Sequence, residues 1–267
     1  MTILEAVVLG LVQGITELLP ISSSAHLALT PYLLGWADPG LAFDVALHFG
    51  TLLALCWYFR AEWLAMLTSA WFIARTRRVE SVHDRRLVYL VVATIPAGLA
   101  GLLLEDLAET AFRSPLVIAI ALAVMGILLW WIDRRSVRAR VIEEITLRDA
   151  VVVGCAQVLA LIPGVSRSGS TMTAGRLLQL DRPSAARFSF LMSMPITVAA
   201  VVLKAPEALQ ADGLSAPLVA GIAAAAVSSW LAITVLLRYV SKHSFGVFAG
   251  YRVLLAGVVL ATLVGRA

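Results

Sequence analysis

Charge is scarce in this chain. Asp, Glu, Lys and Arg make up 14% of 267 residues, where a soluble globular domain carries roughly 25%. Hydrophobic residues reach 60% and mean hydropathy is +0.91. That balance excludes an ordinary water-soluble fold and predicts an integral membrane protein, all-α and polytopic, with one domain over residues 1–267. Cysteine is nearly absent. Cys56 and Cys155 both sit in apolar stretches, which argues against a disulfide framework and for two thiols buried in apolar surroundings. The opening Met1-Thr2-Ile3-Leu4-Glu5 lacks a basic segment, so a cleaved signal peptide is not expected. Aromatic residues are few and are not interleaved with a basic patch, which removes nucleic acid as a partner. Trp57, Trp63, Trp71, Trp130 and Trp131 fall near predicted span ends, as interfacial anchors do.

A helical span needs about 20 mainly apolar residues. Six runs come close: Phe43–Phe59, Leu87–Leu104, Pro115–Ile132, Phe188–Leu203, Ala216–Leu237 and Val247–Val264. Two other apolar regions break early. Ile3–Leu19 is interrupted by Gln13, Gly14 and Glu17, then stopped by Pro20. Ala150–Ile162 ends at Pro163-Gly164. A serine cluster follows each break, then a second short apolar piece, Leu27–Leu34 or Met172–Leu180. Helix in, polar turn, helix out predicts a re-entrant hairpin, tolerated only where protein or water surrounds it.

The halves resemble each other. Gly10-x-x-Gln13 leads to Pro20, and Gly154-x-x-Gln157 leads to Pro163. Phe43 follows Ser23 at the interval by which Phe188 follows Ser168. Each half reads hairpin, span, span, span, so the second half must start on the opposite face. The expectation is an inverted repeat: residues 1–132 with a hairpin at about 3–35, and residues 149–267 with a hairpin at about 150–180. Charge agrees with this threading. The stretches Arg60–Arg86, Asp133–Asp149, Arg176–Arg187 and Arg238–Arg252 hold 17 of the 21 Lys and Arg residues. The opposite face holds Arg113, Lys204 and Arg266, with Glu105, Asp106, Glu109, Glu207 and Asp212. Basic loops mark the cytoplasmic side, which predicts external termini and a first hairpin dipping in from outside.

Polar groups at membrane depth are costly and are functional candidates by default. Arg167 carries a planar fork suited to phosphate oxygens. Gly164 and Gly169 permit close approach of backbone amides, and Ser166, Ser168, Gly169, Ser170 and Thr171 surround the start of a short helix, a natural anion site. Glu17 and Gln13 are four residues apart and share a helical face. Glu17 could bind a cation, act as a base, or pair with Arg167; Gln13 could offer only an amide oxygen to a cation. Ser22, Ser23 and Ser24 supply hydroxyls, one of which Glu17 or His26 could activate. His26 could instead attack phosphorus or carry a proton. Asp44 and His48, on one face of the first span, are weaker candidates for the same cavity.

At these residues the chain resembles the undecaprenyl-diphosphate phosphatase family, also called the bacitracin-resistance protein family. The resemblance rests on Gln13-Gly14-Ile15-Thr16-Glu17, on Pro20-Ile21-Ser22-Ser23-Ser24-Ala25-His26, on Pro163 through Gly169, and on Phe188-Ser189-Phe190-Leu191. It covers nearly the whole chain, in order. It implies hydrolysis of undecaprenyl diphosphate to undecaprenyl phosphate and orthophosphate, which recycles the lipid carrier of cell-wall synthesis. It implies six transmembrane helices with two re-entrant hairpins in a bacterial inner membrane. It also implies a divalent cation, Mg2+ or Ca2+, with Glu17 and Gln13 as candidate ligands. Glu17, Ser23, His26 and Arg167 match the family's catalytic positions. Gln13, Ser22, Ser24, Ser166, Ser168, Gly169, Ser170 and Thr171 are the expected substrate-binding set. Gln13 departs from members that carry a second acid there, which shifts weight onto Glu17. Expected partners are a polyprenyl diphosphate and membrane lipids; a homodimer is compatible with the chain. The alternative from another class is a secondary transporter or lipid flippase of the same architecture, which would not need the hydroxyl–His–Arg cluster. The Pro-Ser-Gly-His signature of phosphatidic-acid phosphatases is absent.

Overall fold

The computed structural model describes residues 1–104, 114–137 and 140–266. Among these there are eleven α-helices, short 3-10 turns at Ile142–Glu144 and Leu159–Leu161, and an isolated bridge joining Arg140 to Leu180. Six helices are long and apolar enough to cross a membrane. They are α3 (Gly40–Tyr58), α5 (Val82–Leu103), α6 (Pro115–Arg135), α9 (Arg182–Asp212), α10 (Ala216–Val240) and α11 (Gly246–Arg266). They coincide with the six apolar runs. Glu105, Asp106, Glu109 and Arg113, counted above as outer-face charges, lie outside the described residues, as do the side chains of Lys204, Glu207, Asp212 and Arg266.

The broken regions form two pairs of short helices: α1 (Ile3–Leu18) with α2 (Ser23–Leu34), and α7 (Leu147–Val158) with α8 (Arg167–Leu177). Their first helices open alike. Thr2 and Thr146 are N-caps in capping boxes closed by Glu5 and Asp149, each box satisfying two amides that a helix start leaves open. α1 runs to Leu18, whereas α7 stops at Val158 and a 3-10 turn carries the chain to Leu161, yet both then leave the helical region at proline. A residue before proline is pushed out of the helical region, and Leu19 before Pro20 and Ile162 before Pro163 are both extended.

Packing follows the same correspondence. α1 lies on α10 as α7 lies on α5, α3 meets α10 as α9 meets α5, and the pairs α3–α9 and α6–α11 match each half with its counterpart. Small residues set the first of these contacts. A Cβ at Gly154 would stand 2.6 Å from the Ala93 carbonyl oxygen of α5, and one at Gly10 would collide with the Gly221 carbonyl of α10. The two repeated glycines therefore mark the same helix crossing in each half.

Four expectations are corrected. The segment after α3 is not a polar loop but a helix, α4 (Arg60–Thr76), which buries Met66 and Ser69 and leaves Leu64, Leu67 and Trp71 exposed. Its charges kept it below the threshold of a span while its apolar stripe still folds it. Second, Asp133, Arg176 and Arg182 are not solvated loop charges. Arg176 and Arg182 each donate through Nε to Asp133 Oδ1 at 2.8 Å, and all three are buried. Third, Arg252 belongs to no loop: it is fully buried within α11. Fourth, Cys56 and Cys155 are exposed rather than buried. On a chain this apolar the outward surface is itself hydrophobic, so an apolar neighbourhood does not imply an interior position. Trp57, Trp130 and Trp131 stack beneath Arg60, Arg134 and Arg135 at the ends of α3 and α6.

The glycine crossing is testable. Gly154→Leu should force α7 off α5 and destabilise the fold by about 1–3 kcal/mol or more, as overpacking does. Thermal unfolding in detergent reads the loss, and an unchanged midpoint would show that the two helices do not meet closely.

Candidate active site

Both helix pairs turn through a serine held at positive φ: Ser22 at 76° and Ser166 at 71°. Non-glycine residues rarely adopt that region. Each serine is the N-cap of the helix that follows. Ser22 Oγ accepts from the Ala25 amide and Ser166 Oγ from the Gly169 amide, at 3.4 and 3.0 Å. The register of the repeat is therefore Ser22 with Ser166, one residue from the Ser23–Ser168 alignment that the phenylalanine spacing suggested. Ser23 and Arg167 consequently occupy the same place, the first residue of α2 and of α8.

The turns are bonded to one another. The Gly164 amide donates to Ser22 Oγ at 3.0 Å, and Ser168 Oγ donates to the Leu19 carbonyl at 2.9 Å. The buried Arg252 guanidinium reaches both: Nη1 donates to Pro20 O at 3.0 Å, and Nη2 to Gly164 O at 2.7 Å and Val165 O at 2.8 Å.

Glu17, in the last turn of α1, is where the two halves meet chemically. Ser23 Oγ donates to its Oε2, and Arg167 Nη2 to its Oε1. Gln13 Nε2 donates to Oε2 at 3.3 Å, and His48 Nε2 of α3 stands 3.3 Å from the same oxygen. A cavity of about 480 Å³ opens beside them. Glu17, Ser23, Ser24, Asp44, His48, Gln157, Ser166 and Arg167 form its polar part. Its other walls are apolar, with Ala97, Gly98 and Gly101 of α5 facing Ile196, Ala199 and Ala200 of α9. Buried polar atoms are normally partnered. Here Arg167 Nη1 and both polar atoms of Gln157 are buried with no partner among the described residues.

The other residues named from the sequence fall into two groups. Ser24 and Ser166 border the cavity with Ser23. Ser22, Ser168, Ser170 and Thr171 spend their hydroxyls inside the turns: Ser170 and Thr171 both donate to the Arg167 carbonyl, and Thr171 also meets Ser189. Gly169 gives its amide to Ser166. His26 lies in the same turn as Ser23 but faces α11. Its Nδ1 is 2.6 Å from Ser22 O, and its Nε2 is 2.7 Å from the Tyr251 hydroxyl. His48 and Gln157 are stronger members than the sequence indicated. Gln157 was announced by its repeat partner Gln13; His48 carried only its helical spacing from Asp44.

Among the described residues no three His, Cys, Asp or Glu side chains cluster as a metal cage. The carboxylates beside the cavity are those of Glu17 and Asp44. That set suits a hard cation shared with substrate oxygens, since Mg2+ commonly takes one or two carboxylates plus phosphate. Gln13 stands behind Glu17 and is fully buried.

These features define a polytopic membrane protein with a hydroxyl–carboxylate–guanidinium site at one end of an apolar-walled cavity. Comparison with known proteins narrows the class. The family model described as bacitracin resistance protein BacA matches residues 6–258. The chain belongs to that family. It is 76% identical to a Gemmatimonas aurantiaca protein named undecaprenyl-diphosphatase, over the full length of both chains. It is 50% identical to a Moorella thermoacetica protein of the same name, over 98% of each. It is 47% identical to undecaprenyl-diphosphatase 2 of Stutzerimonas stutzeri, over 99% of this chain and all of that one.

The clamp on the turns makes a prediction. Arg252→Met keeps the bulk of the side chain but strips donors from three turn carbonyls. An unsatisfied buried group costs about 1–3 kcal/mol. The variant should lose thermal stability sharply in detergent; a wild-type midpoint would mean that other groups hold the turns.

Proposed function

We propose that this protein is an undecaprenyl-diphosphate phosphatase of the bacterial inner membrane, releasing undecaprenyl phosphate and orthophosphate and so returning a lipid carrier to cell-wall synthesis. One observation carries the reading: a single carboxylate, Glu17, joins a hydroxyl from one helix pair to a guanidinium from the other, at the polar end of a cavity with lipid-like walls. A transporter would need the cavity but not that triad.

In this reading the two short helix pairs are re-entrant hairpins of an inverted repeat. They enter from opposite leaflets, with both termini external and the cavity opening outward. The distribution of Lys and Arg along the sequence supports that orientation. The terminal phosphate sits against Arg167, whose unpartnered Nη1 takes one oxygen, while Gln157 donates its amide to another. The prenyl chain leaves between α5 and α9, past Gly98 and Gly101. Ser23 attacks the terminal phosphorus and its proton passes to Glu17, which already accepts that hydrogen bond. Arg167 stabilises the charge that spreads over the transferring phosphoryl oxygens. Ser24 and Ser166 line the phosphate's approach, while Ser22, Ser168, Gly169, Ser170 and Thr171 hold the turns. His26 is a positioning residue, fixing the Ser22 turn against Tyr251. A divalent cation, Mg2+ or Ca2+, would be held by Glu17 and Asp44 with the diphosphate; when bound it neutralises phosphate charge. Gln13 orients Glu17.

The test is orthophosphate release from undecaprenyl diphosphate by purified protein in detergent. Wild type should turn over. Arg167→Ala should lose two to three orders of magnitude, about the cost of removing one transition-state donor, and Ser23→Ala at least as much, both with unchanged unfolding midpoints. A folded wild-type protein that releases no phosphate would end the proposal, and full activity in either variant would end that residue's role. Chelator should lower the rate and added Mg2+ or Ca2+ restore it. A separate outcome concerns the tail. Gly98→Leu with Gly101→Leu should raise KM for the long prenyl substrate while sparing a short prenyl diphosphate; equal effects on both would place the tail elsewhere.

A further inference from the structure

The helix α4 has one face turned into the protein and an apolar stripe turned out. A single residue, Phe59, separates it from α3. Antiparallel helix pairs need a loop of about 2–5 residues, so α4 leaves α3 at an angle instead of folding back along it. Its inward face meets the ends of two other spans. Ser69 donates to the carboxylate of Asp84, in the first turn of α5. Glu62 accepts from Arg187 Nη2 at 2.8 Å, in the second turn of α9. Thus α4 runs along the level at which spans end and does not cross the membrane. On its other side Leu64, Leu67 and Trp71 are 63%, 64% and 69% exposed. Their spacing of three and four residues places them on one stripe, about half a turn from Glu62, Met66 and Ser69. The stripe extends both ways at the same spacing. Backwards it reaches Arg60 and then Trp57, an exposed indole in the last turn of α3, with the Arg60 guanidinium 5.1 Å above its ring. Forwards it reaches Arg75 and Arg78, both exposed. Trp130 and Trp131 carry Arg134 and Arg135 in the same way at the end of α6. Indoles at span ends mark the membrane–water interface. The α4 stripe therefore continues a lipid-facing surface, apolar at its centre and cationic at both ends. The acids nearby do not cancel that charge: Glu62 is turned inward to Arg187, and Glu80 stands 3.7 Å from Arg78 with both side chains largely exposed.

We propose that α4 is an interfacial helix that binds anionic phospholipids of the surrounding leaflet. Leu64, Leu67 and Trp71 insert among the acyl chains near the headgroups, as the apolar face of such a helix does. Arg60, Arg75 and Arg78 reach along the same stripe to the headgroup phosphates, their stems lying on apolar surface and their guanidinium groups in the polar layer. A zwitterionic headgroup offers the same phosphate with a cation attached, so the charge at both ends of the stripe selects lipids with a net negative head. This surface is separate from the cavity and concerns the lipid around the protein, so it stands whether or not the phosphatase reading does.

The test uses the full-length protein in phosphatidylcholine nanodiscs. Chain-brominated phosphatidylglycerol or chain-brominated phosphatidylcholine is added at equal mole fraction, since bromine quenches an indole that it touches. The signal of Trp71 is the fluorescence difference between wild type and Trp71→Phe, a change at an exposed position that should leave the unfolding midpoint unaltered. Both lipids should quench Trp71. Phosphatidylglycerol should do so at lower mole fraction, because each arginine at an anionic surface is worth about fivefold in affinity. The triple variant Arg60→Gln, Arg75→Gln, Arg78→Gln should keep the quenching and lose the preference. Quenching of Trp71 by aqueous iodide but by neither lipid places the stripe in water and overturns the proposal. Protection from iodide and from both lipids overturns it in favour of a protein cover, whether a second copy or another chain. Equal quenching by the two lipids in wild type, or a preference that survives the triple variant, removes the role given to the arginines.

Discussion

The site depends on one buried cation that does not border the cavity. Arg252 is fully buried, and burying a guanidinium is expensive by several kcal/mol. The cost is offset by carbonyl oxygens that need it. Pro20, Gly164 and Val165 lie where α1 and α7 have stopped at proline, and their carbonyls have left the helical ladder. A fourth bond, from Nε to Leu122 O at 3.3 Å, ties the same guanidinium to α6. The fork thus fastens two turns, one from each half of the sequence, to one point on α6 and α11. The cross-bonds between Ser22 and Gly164, and between Ser168 and Leu19, are short-range consequences of that clamp. With the turns fixed, the first residues of α2 and α8 have no freedom left, and those residues are Ser23 and Arg167.

A repeated scaffold usually repeats its side chains, and here it does so everywhere except at the chemistry. The capping threonines, the crossing glycines, the glutamines and the N-cap serines all recur in step, while Pro163 falls one residue short of the place that Pro20 holds. At the first helical position the halves diverge, serine against arginine. At the end of the first helix they diverge again, Glu17 in α1 against apolar surroundings at the matching end of α7. Symmetry supplies two helix starts pointing at one place; divergence gives one a hydroxyl, the other a positive charge, and sets the carboxylate between them. The glutamines show how position alone changes a role. Gln13 donates to Glu17, whereas Gln157, on the cavity wall, keeps both its polar atoms unpartnered.

Much of this was legible in the sequence because hydropathy and proline act locally. Six apolar runs became six long helices, and the residues before Pro20 and Pro163 left the helical region as expected, while Pro31, Pro96 and Pro195 lie inside helices. What failed was whatever depended on facing. Arg252, Arg176 and Arg182 read as loop charges because a basic residue near a span end normally reaches water; tertiary partners brought them inside. The cysteines read as buried because apolar neighbours mean an interior in soluble proteins but a lipid surface here. The phenylalanine spacing pairs Ser23 with Ser168, whereas the N-caps pair Ser22 with Ser166, since the phenylalanines lie beyond the turn and the N-cap serines within it. His26 outranked His48 because sequence proximity to Ser23 was visible and the packing of α3 against the α1 terminus was not.

Gln13 has a physical reading. A second carboxylate in its place, four residues before Glu17, would share the same helical face and put two negative charges at the polar end of the cavity. With glutamine there, the polar end of the cavity sets Arg167 and the imidazole of His48 against Glu17, with Asp44 on the same cavity wall. Glu17 then meets a guanidinium on one oxygen and an imidazole, an amide and a hydroxyl on the other. The glutamine at position 13 and the histidine at position 48 are then one electrostatic arrangement, since both act on the same oxygen, Glu17 Oε2.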